Sequence, residues 1–242
     1  MSTKGLSQED LDLLRKYDTP TICNVIEIFE VRPRNEGYMD SRIKACFPEM
    51  PPMVGYASTA TYRSDAPPGA GDVYSSIDKQ VSAFEGIPGP PVVVFQDLDD
   101  PSVAATFGEV MCTTYKTFGA VGLVTSGTAR DLDQVREIGF PAFSNGAICA
   151  HAYCHTISIH VPVRVGGITV KPGELLHGDC NGVTTIPNEI ASAVAQACAE
   201  YVEAEEIVLE HLKSGSATPD TLGNARRESA DRIQELSNRV KI

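Results

Sequence analysis

The chain reads as an α/β protein built on a mixed sheet, and three observations carry that reading. Short apolar runs alternate with helical patterns through the middle of the sequence: VVVFQD, a helix from about Gly108 to Phe118, AVGLVT, then a helix over DLDQVREI. Strands separated by helices argue for parallel pairing across crossovers. After FPAFS the chain changes to consecutive strands, TISIHV, VRVGGITV and VTTIP, and strands without helices between them argue for antiparallel pairing. Finally, 42% of the 242 residues are hydrophobic, with no internal repeat, which suits one substantial core.

Taken in order, Ser7 opens S-x-x-D before Leu11, Leu13 and Leu14, the pattern of a capped helix. Thr19-Pro20 supplies an N-cap and an N1 proline for a second helix through about Phe29. Residues 35–52 mix Pro, Gly and charge and read as irregular, while VGYASTATYR (54–63) alternates like a strand. The loop DAPPGAGD (65–72) precedes a helix over YSSIDKQVSAF. From Asn188 to Leu212 the pattern is helical, Lys213-Ser-Gly215 ends it, and the tail to Ile242 adds a further helix. The whole of 1–242 is expected to be one domain, with 188–242 a helical arm that packs on a neighbouring subunit.

Charge and composition narrow the function. A formal net charge of -12 without a run of Lys or Arg disfavours direct nucleic-acid binding. No apolar run approaches the roughly 20 residues that span a bilayer, and MSTKGLSQEDLDLL lacks the apolar core of a signal peptide. A cytoplasmic protein is expected. Seven cysteines without a CxxC pair read as buried free thiols.

The stretch LVTSGTARDLD carries the main candidate site. Asp131 begins D-x-x-Q with Gln134, a sufficient capping box for the following helix, and Arg130 could be a surface residue. Against that, the Gly127 turn sets the pair at the C-terminal end of a buried strand, where open α/β sheets place their ligand crevice. A carboxylate there can hold a hard cation, and a guanidinium can bind an anionic oxygen. Glu109 has a similar double reading: a first-turn acid complementing the helix dipole, or a base beside amides that receive a substrate carboxylate after Gly108. HAYCH places His151 and His155 at i, i+4, a zinc spacing if helical; a strand boundary or pocket wall is the alternative. PPGAGD is neither a Walker loop nor a dinucleotide fingerprint, and there is no G-x-S-x-G elbow.

With these residues in view, the chain resembles the family that joins 4-hydroxy-4-methyl-2-oxoglutarate aldolase with the regulator of ribonuclease activity A. GEVMCTTYKTFGAVGLVTSGTARD matches the family's G-[ED]…G-x-x-R-D core, with Glu109 and Arg130 at its separation of 21 residues. GFPAF (139–143) and GGITVKPGELLHGDCNGVTTIP (166–187) match its downstream blocks, and DTPTICNV and GYASTA its upstream ones. The chain departs from the family at Ser126, at Asn24, at Cys180-Asn181 and through AICAHAYCH, which bears on the substrate more than on the metal.

The resemblance implies an α-β-β-α sandwich on a mixed sheet, similar to the swivelling phosphohistidine domain, in trimers or hexamers with the active site between subunits. It implies that Asp131 holds Mg2+ or Mn2+ largely through its water shell and that Arg130 binds the oxo-acid end of the substrate. Gly108, Val110 and Met111 would receive the substrate carboxylate, Glu109 would line the site, and Glu205 or Glu206 would reach a neighbour's site. The activity implied is a class II, pyruvate-type aldolase cleaving a 4-hydroxy-2-oxo acid, with oxaloacetate decarboxylation as a side activity. Apart from Lys116 and Lys171, no lysine suggests a Schiff-base route. The alternatives are a non-catalytic protein-binding regulator of a ribonuclease, and a lyase or hydratase for sugar-derived acids.

Overall fold

A computed structural model describes residues 5–69 and 76–240. Ser7 caps α1 (Gln8–Leu14), its Oγ accepting the Asp10 amide at 3.1 Å. The second helix, α2 (Thr19–Ile28), is capped one residue earlier than the Thr-Pro pair suggests, by Asp18 through the Thr21 amide at 2.9 Å. Thr19 is thereby released to bind the sheet.

The strands are β1 (Lys44–Ala45), β2 (Met53–Arg63), β3 (Pro91–Asp97), β4 (Ala105–Phe107), β5 (Gly122–Thr125), β6 (Thr128–Ala129) and β7 (Ala142–Ser144). They continue as β8 (His155–Ile159), β9 (Val163–Val165), β10 (Ile168–Val170), β11 (Leu175–Asp179) and β12 (Gly182–Ile186). Five further helices are α3 (Ile77–Ser82), α4 (Glu109–Thr117), α5 (Leu132–Glu137), α6 (Ala191–Lys213) and α7 (Pro219–Val240). The end of the 65–72 loop and the start of the helix expected over 74–84 lie outside the described residues.

The main sheet runs β1-β7-β5-β3-β2-β11-β12, with β8 also on β2. Pairing is parallel from β2 through β3 and β5 to β7, where helices intervene, and antiparallel among β2, β8, β11 and β12. The mixed α/β expectation holds on both counts. The layering differs from the expected sandwich: Tyr38 bridges Thr184 on the β12 edge, and a few residues on, Lys44 and Ala45 form β1 at the opposite edge. One short segment thus joins both edges, and the sheet is nearly closed and barrel-like.

Period-two alternation sends neighbouring side chains to different cores. Val92 and Val94 pack inside the curl with Met53, Ala57 and Leu176, whereas Val93 and Phe95 pack outward beneath α4 and α5 with Tyr115 and Leu123. Val54, Tyr56 and Leu175 face a third cluster with α1, α2 and α6. Strand β2 is therefore buried along most of its length rather than half-exposed. The terminal helix folds back on its own chain: Leu236 is buried among α2 and α6, and the Ser237 hydroxyl donates to Ile28 O at 2.9 Å.

No described helix is long and apolar enough to cross a membrane. All seven cysteines are free; Cys112, Cys154 and Cys198 are buried as expected, but Cys149 and Cys180 are exposed.

Candidate functional site

Two very short strands build the site. After β5 the chain does not go straight to Arg130; it makes β6, which pairs in parallel with β4. Because Gly108 follows β4 and Arg130 follows β6, that pairing sets the two side by side, and the Arg130 amide donates to Phe107 O at 3.1 Å. On its other edge Ala129 pairs with Ala147, its amide donating to Gly146 O at 3.0 Å and its carbonyl accepting the Ile148 amide at 3.0 Å. The segment that leads to His151 is thus attached to the same small ribbon.

Asp131 does not cap its own helix. It sits at the start of α5 with φ 54°, and its side chain makes no bond to that helix. The left-handed backbone turns the carboxylate back toward α4, where Oδ2 accepts the Glu109 amide at 3.1 Å and lies 3.6 Å from Arg130 Nε. The capping expectation is therefore corrected: Asp131 serves the N-terminus of the other helix. Gly108 makes this approach possible, since a Cβ there would lie 2.4 Å from Asp131 Oδ2 and 3.0 Å from Arg130 Nε.

The first turn of α4 has three amides without intrahelical acceptors, those of Glu109, Val110 and Met111, because the Cys112 amide is the first to bond back, to Gly108 O at 3.1 Å. Asp131 satisfies the first. Val110 and Met111, with Gly108 and Arg130, line a small hollow whose other walls are Tyr62, Ala105, Phe107 and His151. All four residues expected to bind substrate meet there. Glu109 is exposed at the helix start.

The other candidates fall elsewhere. Glu205 and Glu206 lie on α6, where Glu205 is partly buried against α2, bonding the Asn24 side chain, and burial pushes its carboxyl up. Glu206 is exposed. Lys116 donates to the Ile138 and Gly139 carbonyls just past the end of α5, and Lys171 is exposed beyond β10, so neither lines the hollow. His151 and His155 are not on a helix: a turn with Ala152 at φ 43° separates them, and His155 begins β8. Among the described residues no three His, Cys, Asp or Glu side chains are grouped to hold a metal. Sequence spacing left His151 open; its place in the Arg130 hollow comes from the β6 pairing, which no local pattern announces.

A wider cavity of about 500 Å3 lies over the ends of β3 and β5 and is lined by Asp97, Asp100, Ser126, Asn145, Arg42 and Arg164 among others. Ser126 Oγ accepts the Asp97 amide there at 2.9 Å, so Ser126 stands outside the Arg130 hollow. Burial pushes the Asp97 carboxyl above its ordinary range.

The comparisons with known proteins agree on this fold. A family model described as RraA-like, Aldolase/RraA, matches residues 19–185. A protein of Halalkalibacterium halodurans, provisionally named a 4-hydroxy-4-methyl-2-oxoglutarate aldolase, is 30% identical over 186 residues, covering 75% of this chain and 80% of that one. A solved structure of an uncharacterized Pseudomonas syringae protein superposes with a TM-score of 0.72 at 24% identity, covering 94% of this chain and 96% of the other. The structure of Streptomyces coelicolor RraAS2, described as an unusual member of the RNase ES inhibitor RraA family, has a TM-score of 0.67 at 21% identity, over 84% and 97% of the two chains.

Proposed function

The chain belongs to the RraA-like aldolase family, and on that premise we propose that it is a divalent-metal-dependent lyase that cleaves a 4-hydroxy-2-oxo acid to pyruvate and a carbonyl product. One observation carries the reading: the open amides of α4, the Arg130 guanidinium and the Asp131 carboxylate converge at the C-terminal end of the β4–β6 ribbon.

The donor set fits magnesium. Asp131 Oδ2 is committed to the Glu109 amide, leaving Oδ1 as the one carboxylate oxygen to face a cation. A single carboxylate suits Mg2+ or Mn2+, which keep several waters and take further ligands from substrate, and it does not suit a structural zinc site. When bound, the ion supplies Lewis-acid stabilisation of negative charge on the substrate's 2-oxo oxygen.

The chain's own groups supply the rest. The Val110 and Met111 amides receive the substrate carboxylate at the positive end of α4. Arg130 shares the charge that develops as the C3–C4 bond breaks and an enolate of pyruvate forms. Glu109, and a glutamate from a neighbouring subunit's α6, orient and polarise the C4 hydroxyl whose proton must leave. Val110, a wall of the hollow that is 71% exposed, gives it an apolar margin that supports its being covered by a second subunit in a trimer or hexamer. Oxaloacetate decarboxylation reaches the same enolate and is expected as a side activity.

The test is a coupled pyruvate-release assay on 4-hydroxy-2-oxo acids and oxaloacetate. Turnover is expected to need Mg2+ or Mn2+ and to stop with EDTA. Turnover that survives EDTA would remove the metal from the reading, and release from none of the substrates would favour a ribonuclease regulator.

A further inference from the structure

Resting on that reading of the Arg130 hollow, we propose that His151 is a catalytic residue of this chain, the group that takes the proton from the substrate's C4 hydroxyl and returns one to C3 of the enolate.

His151 is a wall of the same hollow as Gly108, Val110, Met111 and Arg130. It reaches that place on an anchored loop. Just before it, Ala150 O accepts the Ala105 amide of β4 at 2.8 Å; just after it, the Cys154 amide donates to His151 O at 3.1 Å and the Tyr153 amide to Ser64 O at 3.2 Å. Cys154 is fully buried, so the loop is pinned into the core immediately beyond the histidine. A site residue held in this way needs little reordering when substrate binds.

The local backbone also sets the ring's protonation. Ala152 has φ 43°, a left-handed conformation unfavourable for alanine, and its carbonyl lies 2.8 Å from His151 Nδ1. A carbonyl can only accept, so the neutral ring carries its hydrogen on Nδ1, and Nε2 is the basic nitrogen. Among the described residues the titratable groups near the ring include Arg130 and Tyr62 across the hollow, the Cys154 thiol 4.0 Å from Nδ1, and Asp131 and Glu109 beyond Gly108.

The proton balance closes within one residue. Nε2 accepts the C4 hydroxyl proton as the C4 carbonyl forms and the C3–C4 electron pair becomes the enolate. The imidazolium then donates that proton to C3, giving pyruvate and the neutral ring. An imidazole can accept at Nε2 and then donate from the same atom, and a positioned acid–base group typically contributes about a hundredfold or more in rate.

The experiment follows exchange of the pyruvate methyl protons for deuterium in D2O by NMR, with Mg2+ present, alongside pyruvate release and pyruvate binding. In this exchange Nε2 removes a C3 proton, the pair enters the enolate, and the ring returns deuterium. His151→Ala is expected to lower both exchange and kcat by about a hundredfold, to leave KM and pyruvate affinity within about threefold, and to recover part of its rate with added imidazole. His151→Gln, which keeps a polar side chain, should show the same loss without imidazole rescue. Wild-type exchange and an unchanged pH profile in both variants would overturn the proposal while leaving the lyase reading intact. Failure of the unsubstituted protein to exchange or release pyruvate would remove the lyase reading, and this proposal with it.

Discussion

At the scale of single residues, the site depends on where one carboxylate points. Asp131 occupies the left-handed region, which Asp tolerates better than most residues, and that twist moves its side chain from α5 to the α4 N-terminus. Asp131→Asn keeps both the tolerance and an acceptor for the Glu109 amide but loses the charge. It is expected to melt within a few degrees of the parent and to lose Mg2+-supported turnover by about a hundredfold, the scale of a removed electrostatic stabiliser; an unfolded variant would mean that the carboxylate is needed for structure. Gly108→Ala tests the same contact from the other side. Its Cβ would meet Asp131 Oδ2 at 2.4 Å, so turnover should fall at least tenfold with a destabilisation of about 1–3 kcal/mol, readable by thermal melting. The Arg130-Asp131 pair after the Gly127 turn, and Gly108 at the start of a helix, were legible in the sequence because strand ends, glycine and charge sit together. Which helix Asp131 serves was not, because that is decided by a φ value and by a two-residue strand.

At the scale of elements, α1 and α2 are fastened to the sheet through a strand that periodicity missed. LLHGD lacks the alternation of a half-exposed strand: all five β11 positions are buried, polar ones included. His177, fully buried, donates from Nε2 to Leu14 O at 3.0 Å and accepts the Thr19 hydroxyl at Nδ1, 2.9 Å away. Beside it the Thr19 amide donates to Asp179 Oδ2 at 2.9 Å. These bonds account for the two polar side chains whose burial hid the strand. Burial holds His177 below its ordinary value of 6.5. The unfolded chain therefore gains a proton first as pH falls, so stability is fully present above about 6.5 and declines as pH drops toward the folded-state value. Denaturant unfolding between pH 7.5 and 5.5 should show this decline. His177→Gln should be less stable at pH 7.5 but show a shallower decline; a slope equal to the parent's would assign the pH effect to other groups.

At the scale of the whole molecule, the proposed lyase needs a second subunit over the Arg130 hollow, and α6 would supply its glutamate. The two glutamates of α6 are placed differently: Glu205 is partly buried beside Asn24, while Glu206 stands exposed. The glutamate helix was legible as a pattern, but adjacent positions on a helix point about 100° apart, and only the packing of α2 and α7 on α6 tells which one is left outward. A site shared between subunits makes a quantitative prediction. Arg130→Ala and Glu206→Ala should each be nearly inactive alone, since every interface then lacks one component. Co-expressed in equal amounts, they assemble mixed rings in which a site works when its Arg130 comes from the Glu206→Ala chain and its Glu206 from the Arg130→Ala chain. Random cyclic assembly places those two chains in that order at about a quarter of interfaces. Activity of the mixture should therefore rise to roughly a quarter of the parent's per site, far above either variant. Activity that stays at the level of the separate variants would mean that each chain completes its own site or that Glu206 lies outside it, and a parallel mixture with Glu205→Ala separates those two outcomes.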